Sequence, residues 1–110
     1  MTLSDATVRQ VIREYVSLLR AAGIPVTEVR LFGSRAKSAP RHQYSDIDLC
    51  IISSQFGKDY LDEMGLLLGL TAKLDSPVPI EPIPFAPGDL DDRYSTLAGE
   101  IREQGVRVEI

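Results

Sequence analysis

Leu31-Phe32-Gly33-Ser34-Arg35-Ala36-Lys37, then after a short polar loop Tyr44-Ser45-Asp46-Ile47-Asp48-Leu49, is the stretch on which the rest of the chain hangs. An apolar run ends in Gly-Ser, the chain turns, and a second apolar run opens with two aspartates one residue apart. Strand residues i and i+2 share a face, so the two carboxylates are expected roughly 6–7 Å apart on one side of a strand. That spacing suits two divalent ions held about 4 Å apart, the arrangement that clamps both oxygens of an in-line phosphoryl displacement. Gly33 and the Ser34 hydroxyl, at a turn leading towards a helix, would let backbone N–H groups approach a phosphate. Acids at the head of a buried strand run against the core pattern, and such contradictions tend to mark function.

Working outward, residues 26–32 read as a first strand and residues 46–53 as a second. The second carries Asp46, Asp48, Cys50 and Ile52 on one face and Ile47, Leu49, Ile51 and Ser53 on the other. Apolar residues on both faces predict a central strand covered on each side. Upstream, Val8, Val11, Ile12, Tyr15, Leu18, Leu19 and Ala22 recur at helical spacing. Ser4 is the expected N-cap, Leu3 is placed to staple against Val8, and Gly23 with Pro25 marks the stop. Downstream, residues 59–75 predict a second helix with Leu61, Met64, Leu67, Leu68, Thr71 and Leu74 as its stripe. Gly65 and Gly69 weaken it by about 1 kcal/mol each relative to alanine.

Five of the seven prolines fall between Pro77 and Pro87. Inside that region residues 78–85 still read as extended, and proline's missing N–H predicts an edge strand. Asp89, Asp91 and Asp92 read as the acid-biased start of a last helix with Tyr94, Leu97, Ala98 and Ile101 as its stripe. Val106, Val108 and Ile110 alternate with charged residues as a short terminal strand. The order α-β-β-α-β-α-β predicts an α+β fold, a small mixed sheet flanked by helices.

At 110 residues, 44% apolar and 25% charged, the chain reads as a single domain over residues 1–110 with one ordinary core. A net charge of −4 weighs against a protein that grips nucleic-acid backbones, which needs a basic surface. Arg35, Lys37 and Arg41 form a local basic patch suited to a nucleotide. The single cysteine, Cys50, excludes an internal disulfide and reads as a small core residue. His42 reads as a solvated loop residue. With no signal-peptide core and no membrane-length apolar run, a cytoplasmic protein is the expectation.

The Gly33-Ser34 turn followed by Asp46-x-Asp48 on the next strand resembles the minimal nucleotidyltransferases of the DNA polymerase beta superfamily, over essentially the whole chain. Ser38-Ala39-Pro40 stands where that family often has a glycine, and the loop to Asp46 is about one residue longer. The resemblance implies the nucleotidyltransferase fold and transfer of a nucleoside monophosphate from a nucleoside triphosphate, such as ATP, with release of pyrophosphate. It implies that Gly33 and Ser34 bind the triphosphate, with Arg35 or Lys37 neutralising its charge, and that Asp46 and Asp48 hold two Mg²⁺ ions. The family's third carboxylate, on a neighbouring strand, corresponds to Glu81, the acid within residues 78–85; the alternative for Glu81 is an exposed edge-strand acid.

Larger members carry an added acceptor domain, for which this chain has no room, so the acceptor surface is expected on a second protein or another copy of the chain. In the family, chains of this size are commonly the antitoxin partner of a HEPN-domain toxin, in several cases adenylylating a tyrosine of the toxin. The resemblance carries that role to this chain. Two alternatives stand beside it: a silent binding module that neutralises a partner by contact, and a small-molecule (antibiotic) nucleotidyltransferase whose acceptor pocket forms by dimerisation.

Overall fold

A computed structural model describes residues 5–36 and 46–110, apart from the Ser34 side chain. The expectations for Leu3, Ser4, Lys37, Pro40, Arg41 and His42 lie outside those residues. Among the described residues the elements are α1 (Asp5–Ala21), β1 (Glu28–Phe32), a one-turn 3₁₀ helix (Gly33–Arg35), β2 (Ile47–Ile52), α2 (Tyr60–Thr71), β3 (Ile80–Phe85), a second 3₁₀ turn (Asp89–Asp91), α3 (Thr96–Gln104) and β4 (Val106–Arg107). Their order is the one read from the sequence.

The sheet runs β3-β2-β1-β4, with β1 antiparallel to both β2 and β4, and β2 parallel to β3. This is the small mixed sheet flanked by helices that the element order predicts. The parallel step needs a crossover, and α2 supplies it. Ile47, Leu49 and Ile51 of β2 enter a core with Val8, Ile12, Tyr15 and Leu19 of α1 and Leu67 and Leu70 of α2. On the other face Cys50 and Ile52 pack with Phe32, Phe85 and, from α3, Ala98 and Ile101. β2 is thus the covered central strand that its two apolar faces predict.

β3 is an edge strand, as its prolines require. Ile47 N–H donates to the Pro79 carbonyl (2.9 Å) and Ser53 N–H to the Phe85 carbonyl (3.0 Å). Odd-numbered β3 residues therefore bond to β2, and the even-numbered Pro82 and Pro84 turn the side without an N–H to the open edge.

The helix ends follow local chemistry. Gly23, at φ 88°, closes α1 while Ile24 N–H reaches back to the Leu19 carbonyl (3.0 Å). Asp59 caps α2 by accepting from Asp62 N–H (3.2 Å), and the Glu63 carboxylate turns back onto the N–H groups of Gly57, Lys58 and Asp59 at 2.9, 3.0 and 3.0 Å. Those backbone bonds, led by the one from Asp59, hold the Glu63 carboxyl below its ordinary pKa.

Four expectations are corrected. Of the stripe expected for α2, Leu67 is buried and Leu74 packs against the core, but Leu61 and Leu68 are exposed and Leu70, outside that stripe, is buried, because apolar residues on nearly all sides of the helix leave periodicity unable to fix its phase. The last helix starts at Thr96, capped by Ser95, whose Oγ accepts from Ala98 N–H (3.1 Å). Asp89 instead accepts from Ala86 N–H (2.8 Å) and Asp92 from Tyr94 N–H (2.9 Å), so these acids shape the turns before the helix and leave Tyr94 99% exposed. At the C-terminus the strand covers only Val106 and Arg107; Val108 N–H still donates to the Val29 carbonyl (2.9 Å) and its side chain is buried, whereas Val106 and Ile110 are exposed.

Candidate active site

Asp48 sits one residue inside β2 and Asp46 just ahead of it. The register sets two neighbours against Asp48: Phe32 of β1 on one side and Glu81 of β3 on the other. All three strand positions face the α3 side of the sheet, so Glu81 lies directly across the parallel ladder from Asp48 on the same face. The chain then turns at Gly33 with φ 72°, a left-handed conformation that glycine adopts without strain. A Cβ at Gly33 would overlap the Asp48 Oδ2 atom. The glycine is therefore needed twice, for its backbone angle and for the room it leaves the carboxylate.

The three acids meet. Glu81 is hydrogen-bonded to Asp46 and to Asp48, and those bonds push its pKa up to about 7, with some burial and the charges of both aspartates acting in the same direction. Asp48 is also raised: burial acts most strongly, the bond with Glu81 works against it, and the charges of Asp46 and Glu100 add to the rise. Like charges at this spacing cannot all ionise without a compensating cation.

The acids open into a cleft of about 530 Å³ lined by Phe32, Asp48 and Glu81 from the sheet, Gly33 from the turn after β1, Tyr60, Met64 and Leu68 from α2, and Glu100 from α3. Sequence reasoning singled out neither Glu100 nor the α2 wall. Glu100 precedes the buried Ile101 by one position, which is the signal that places it at the rim of the apolar stripe.

Of the residues named for the triphosphate, Gly33 lines this cleft, and Lys37 and the Ser34 hydroxyl are outside what the structure describes. Arg35 is only 5% exposed and lines a different cavity, of about 250 Å³, with Arg9 and Arg13 of α1 and Arg107 of β4. Leu31 belongs to that cavity and Phe32 to the acid cleft, so the Gly33–Arg35 turn has acids on one side and, on the other, four arginines with Asp5 and Glu109 among them. Arg9 and Arg13 stand one turn apart on α1, a spacing visible in the sequence beside its apolar stripe.

Among the described residues no group of three His, Cys, Asp or Glu side chains is already arranged to hold a metal ion. The donor set nonetheless fits Mg²⁺: hard carboxylate oxygens, an excess of negative charge, and a proton on Glu81 doing what a cation would do. Asp46 and Asp48 would be the ligands, with Glu81 joining them once its proton is released. Cys50, buried beneath the site with its thiol pushed up to about 12 by burial, is a packing residue as expected.

A family model described as a nucleotidyltransferase domain matches residues 8–102. No curated protein matches. Two solved structures are similar. One is a mutant MntA-HpeT toxin–antitoxin, 23% identical, covering 88% of this chain and 70% of that one, with a TM-score of 0.55. The other is a toxin–antitoxin with AMP-PNP, 25% identical, covering 88% of this chain and 71% of that one, with a TM-score of 0.54.

Proposed function

The chain belongs to the nucleotidyltransferase domain family, and from that membership we propose that it moves AMP from ATP to a protein acceptor, as the antitoxin of a toxin–antitoxin pair. One observation carries the reading: Glu81 stands opposite Asp48 across β2–β3 while Gly33 presses on the same carboxylate from the β1 side. Register, not loop conformation, sets Glu81 against Asp48, which supports a donor site built into the sheet. The AMP-PNP of a toxin–antitoxin that is 25% identical supports ATP as donor, and its toxin–antitoxin setting supports a toxin as partner, for which the sequence resemblance implies a HEPN-domain protein.

In the proposed reaction an acceptor hydroxyl oxygen attacks the α-phosphorus of ATP, the bond from that phosphorus to the bridging oxygen breaks, and pyrophosphate leaves. Bound Mg²⁺ would neutralise the phosphates and acidify the attacking hydroxyl. Asp46 and Asp48 would hold the ions. Glu81, ionised once a cation replaces its proton, takes the hydroxyl proton at a carboxylate oxygen. The Gly33-Ser34 turn offers backbone N–H groups to the triphosphate, and Arg35, backed by Arg9 and Arg13, supplies positive charge behind it. Tyr60, Met64 and Leu68 form the apolar wall against which the base would lie.

The test is to incubate the protein with Mg-ATP and the product of the neighbouring reading frame, and to look for an adenylyl mass increment on that product. The increment is expected with wild type and absent with Asp48→Asn. If no increment forms and Asp48→Asn neutralises toxicity as well as wild type does, transfer is not the mechanism and contact alone is.

A further inference from the structure

Glu100 is the acid of the cleft that a three-carboxylate site does not use. It stands at the middle of α3, a helix fixed over the sheet by Ala98 and Ile101 packing with Phe32 of β1. Phe32 is the β1 residue paired with Asp48. The packing that buries Ile101 therefore carries the residue before it, Glu100, to the cleft that Asp48 and Glu81 also line. Glu81 reaches Asp48 along the β2–β3 ladder, whereas Glu100 reaches the acids from the helix layer.

Nothing within the chain accounts for a half-buried carboxylate at that place. Among the described residues Glu100 makes no hydrogen bond or ion pair. Its neighbours three and four positions away on α3, Thr96, Leu97, Glu103 and Gln104, bring no positive charge. Arg102, the one cation of the helix, is engaged elsewhere, donating to the carbonyls of Leu90 and Asp92. Among the described residues every charged side chain that lines the cleft is an acid. Asp48 registers the crowding: burial raises its pKa most, and the charges of Asp46 and then of Glu100 add to the rise. A carboxylate so placed costs free energy in the free protein and is balanced by a cation that enters the cleft. A cation matches it better than a nucleoside hydroxyl does, because its charge falls on the same carboxylate that Mg²⁺ would meet.

We propose that Glu100 is a fourth carboxylate of the Mg²⁺-holding set, acting on the cation from α3 while Asp46, Asp48 and Glu81 act on it from the sheet. The inference rests on the proposed donor site and deepens it, since α3 then contributes to cation affinity as well as covering the sheet.

Electron paramagnetic resonance with Mn²⁺ as a stand-in for Mg²⁺, in the absence of nucleotide, tests it together with thermal midpoints in metal-free buffer. Glu100→Gln and Glu100→Ala are each expected to weaken Mn²⁺ binding about tenfold, the loss typical of removing a group beside a metal's ligands. Both are expected to raise the metal-free midpoint, because a carboxylate facing Asp48 is gone; a carboxylate with a purely structural role would lower it. Glu100→Asp, which keeps the charge, is expected to bind Mn²⁺ more tightly than Glu100→Gln. Equal affinity in wild type and both neutral variants overturns the proposal. So does a loss that appears only with AMP-PNP present, which would put Glu100 on the nucleotide. If Asp48→Asn loses affinity in those cases, the donor site stands without Glu100. If wild type and Asp48→Asn bind Mn²⁺ alike, or wild type binds none, the donor-site reading fails along with the proposal.

Discussion

Gly33 and Asp48 share a space that admits only one of them with a side chain. Gly33→Ala is expected to cost about 1–2 kcal/mol in stability from the left-handed backbone. It should also swing the Asp48 carboxylate aside, lowering turnover at least a hundredfold, the usual cost of displacing a reacting group by about 1 Å. Chemical denaturation and a pyrophosphate-release assay measure the two effects; full activity would show that the close approach is incidental. Glu81 supplies a pH test. Its pKa is about 7 folded against an ordinary 4.5, so between these values the folded chain holds a proton that the unfolded chain has released. Stability from this group is complete below the lower value and is lost as pH rises through the upper one. Thermal midpoints in metal-free buffer are therefore expected to fall between about pH 5 and about pH 8, and to fall less in Glu81→Gln. Equal slopes for the two proteins would remove Glu81 from the acid cluster.

Elements rather than single residues carry the packing. The Tyr15 hydroxyl of α1 donates to the Leu67 carbonyl of α2 over 2.8 Å in the core, and burial holds its pKa well above that of an ordinary phenol. Tyr15→Phe is expected to lower stability by about 1 kcal/mol and leave transfer unchanged, since the bond ties two helices on the face away from the acids. Urea denaturation with a parallel activity assay checks both halves, and a lost activity would mean that α1 and α2 position the site. The strands were legible in the sequence because their chemistry is local: β2 alternates two apolar faces beneath its acids, and the prolines of β3 confine it to an edge. Helix α2 was legible as a helix but not in phase, since leucines on opposite sides give a period of 3.6 without saying which side meets the core. The pairing of Asp48 with Glu81 was not legible from spacing. It depends on a parallel register between strands separated by α2, and Glu81 stood out only as the acid in its segment and through the family resemblance. The basic cavity was missed because Arg9 and Arg35 come together only when the end of β1 meets α1.

Across the whole molecule, a modest net charge of −4 is unevenly spread: among the described residues, carboxylates from β2, β3 and α3 share one cleft, while arginines from α1, β4 and the turn after β1 outnumber the acids Asp5 and Glu109 in another. Among the described residues no helix is long and apolar enough to cross a membrane. The acid cleft destabilises the free protein and is relieved by a cation, so Mg²⁺ is expected to raise the thermal midpoint of wild type at about pH 8 and to do so much less in Asp48→Asn. The same substitution removes a half-buried charge, so its metal-free midpoint should lie above that of wild type even as transfer is lost. The sheet as a donor site is tested most directly by calorimetric titration of AMP-PNP in the presence of Mg²⁺ and again in the presence of a chelator. Binding to wild type is expected only with Mg²⁺, and at least tenfold weaker in Asp48→Asn. Equal affinity in the two proteins, or affinity for wild type that the chelator leaves unchanged, would contradict it.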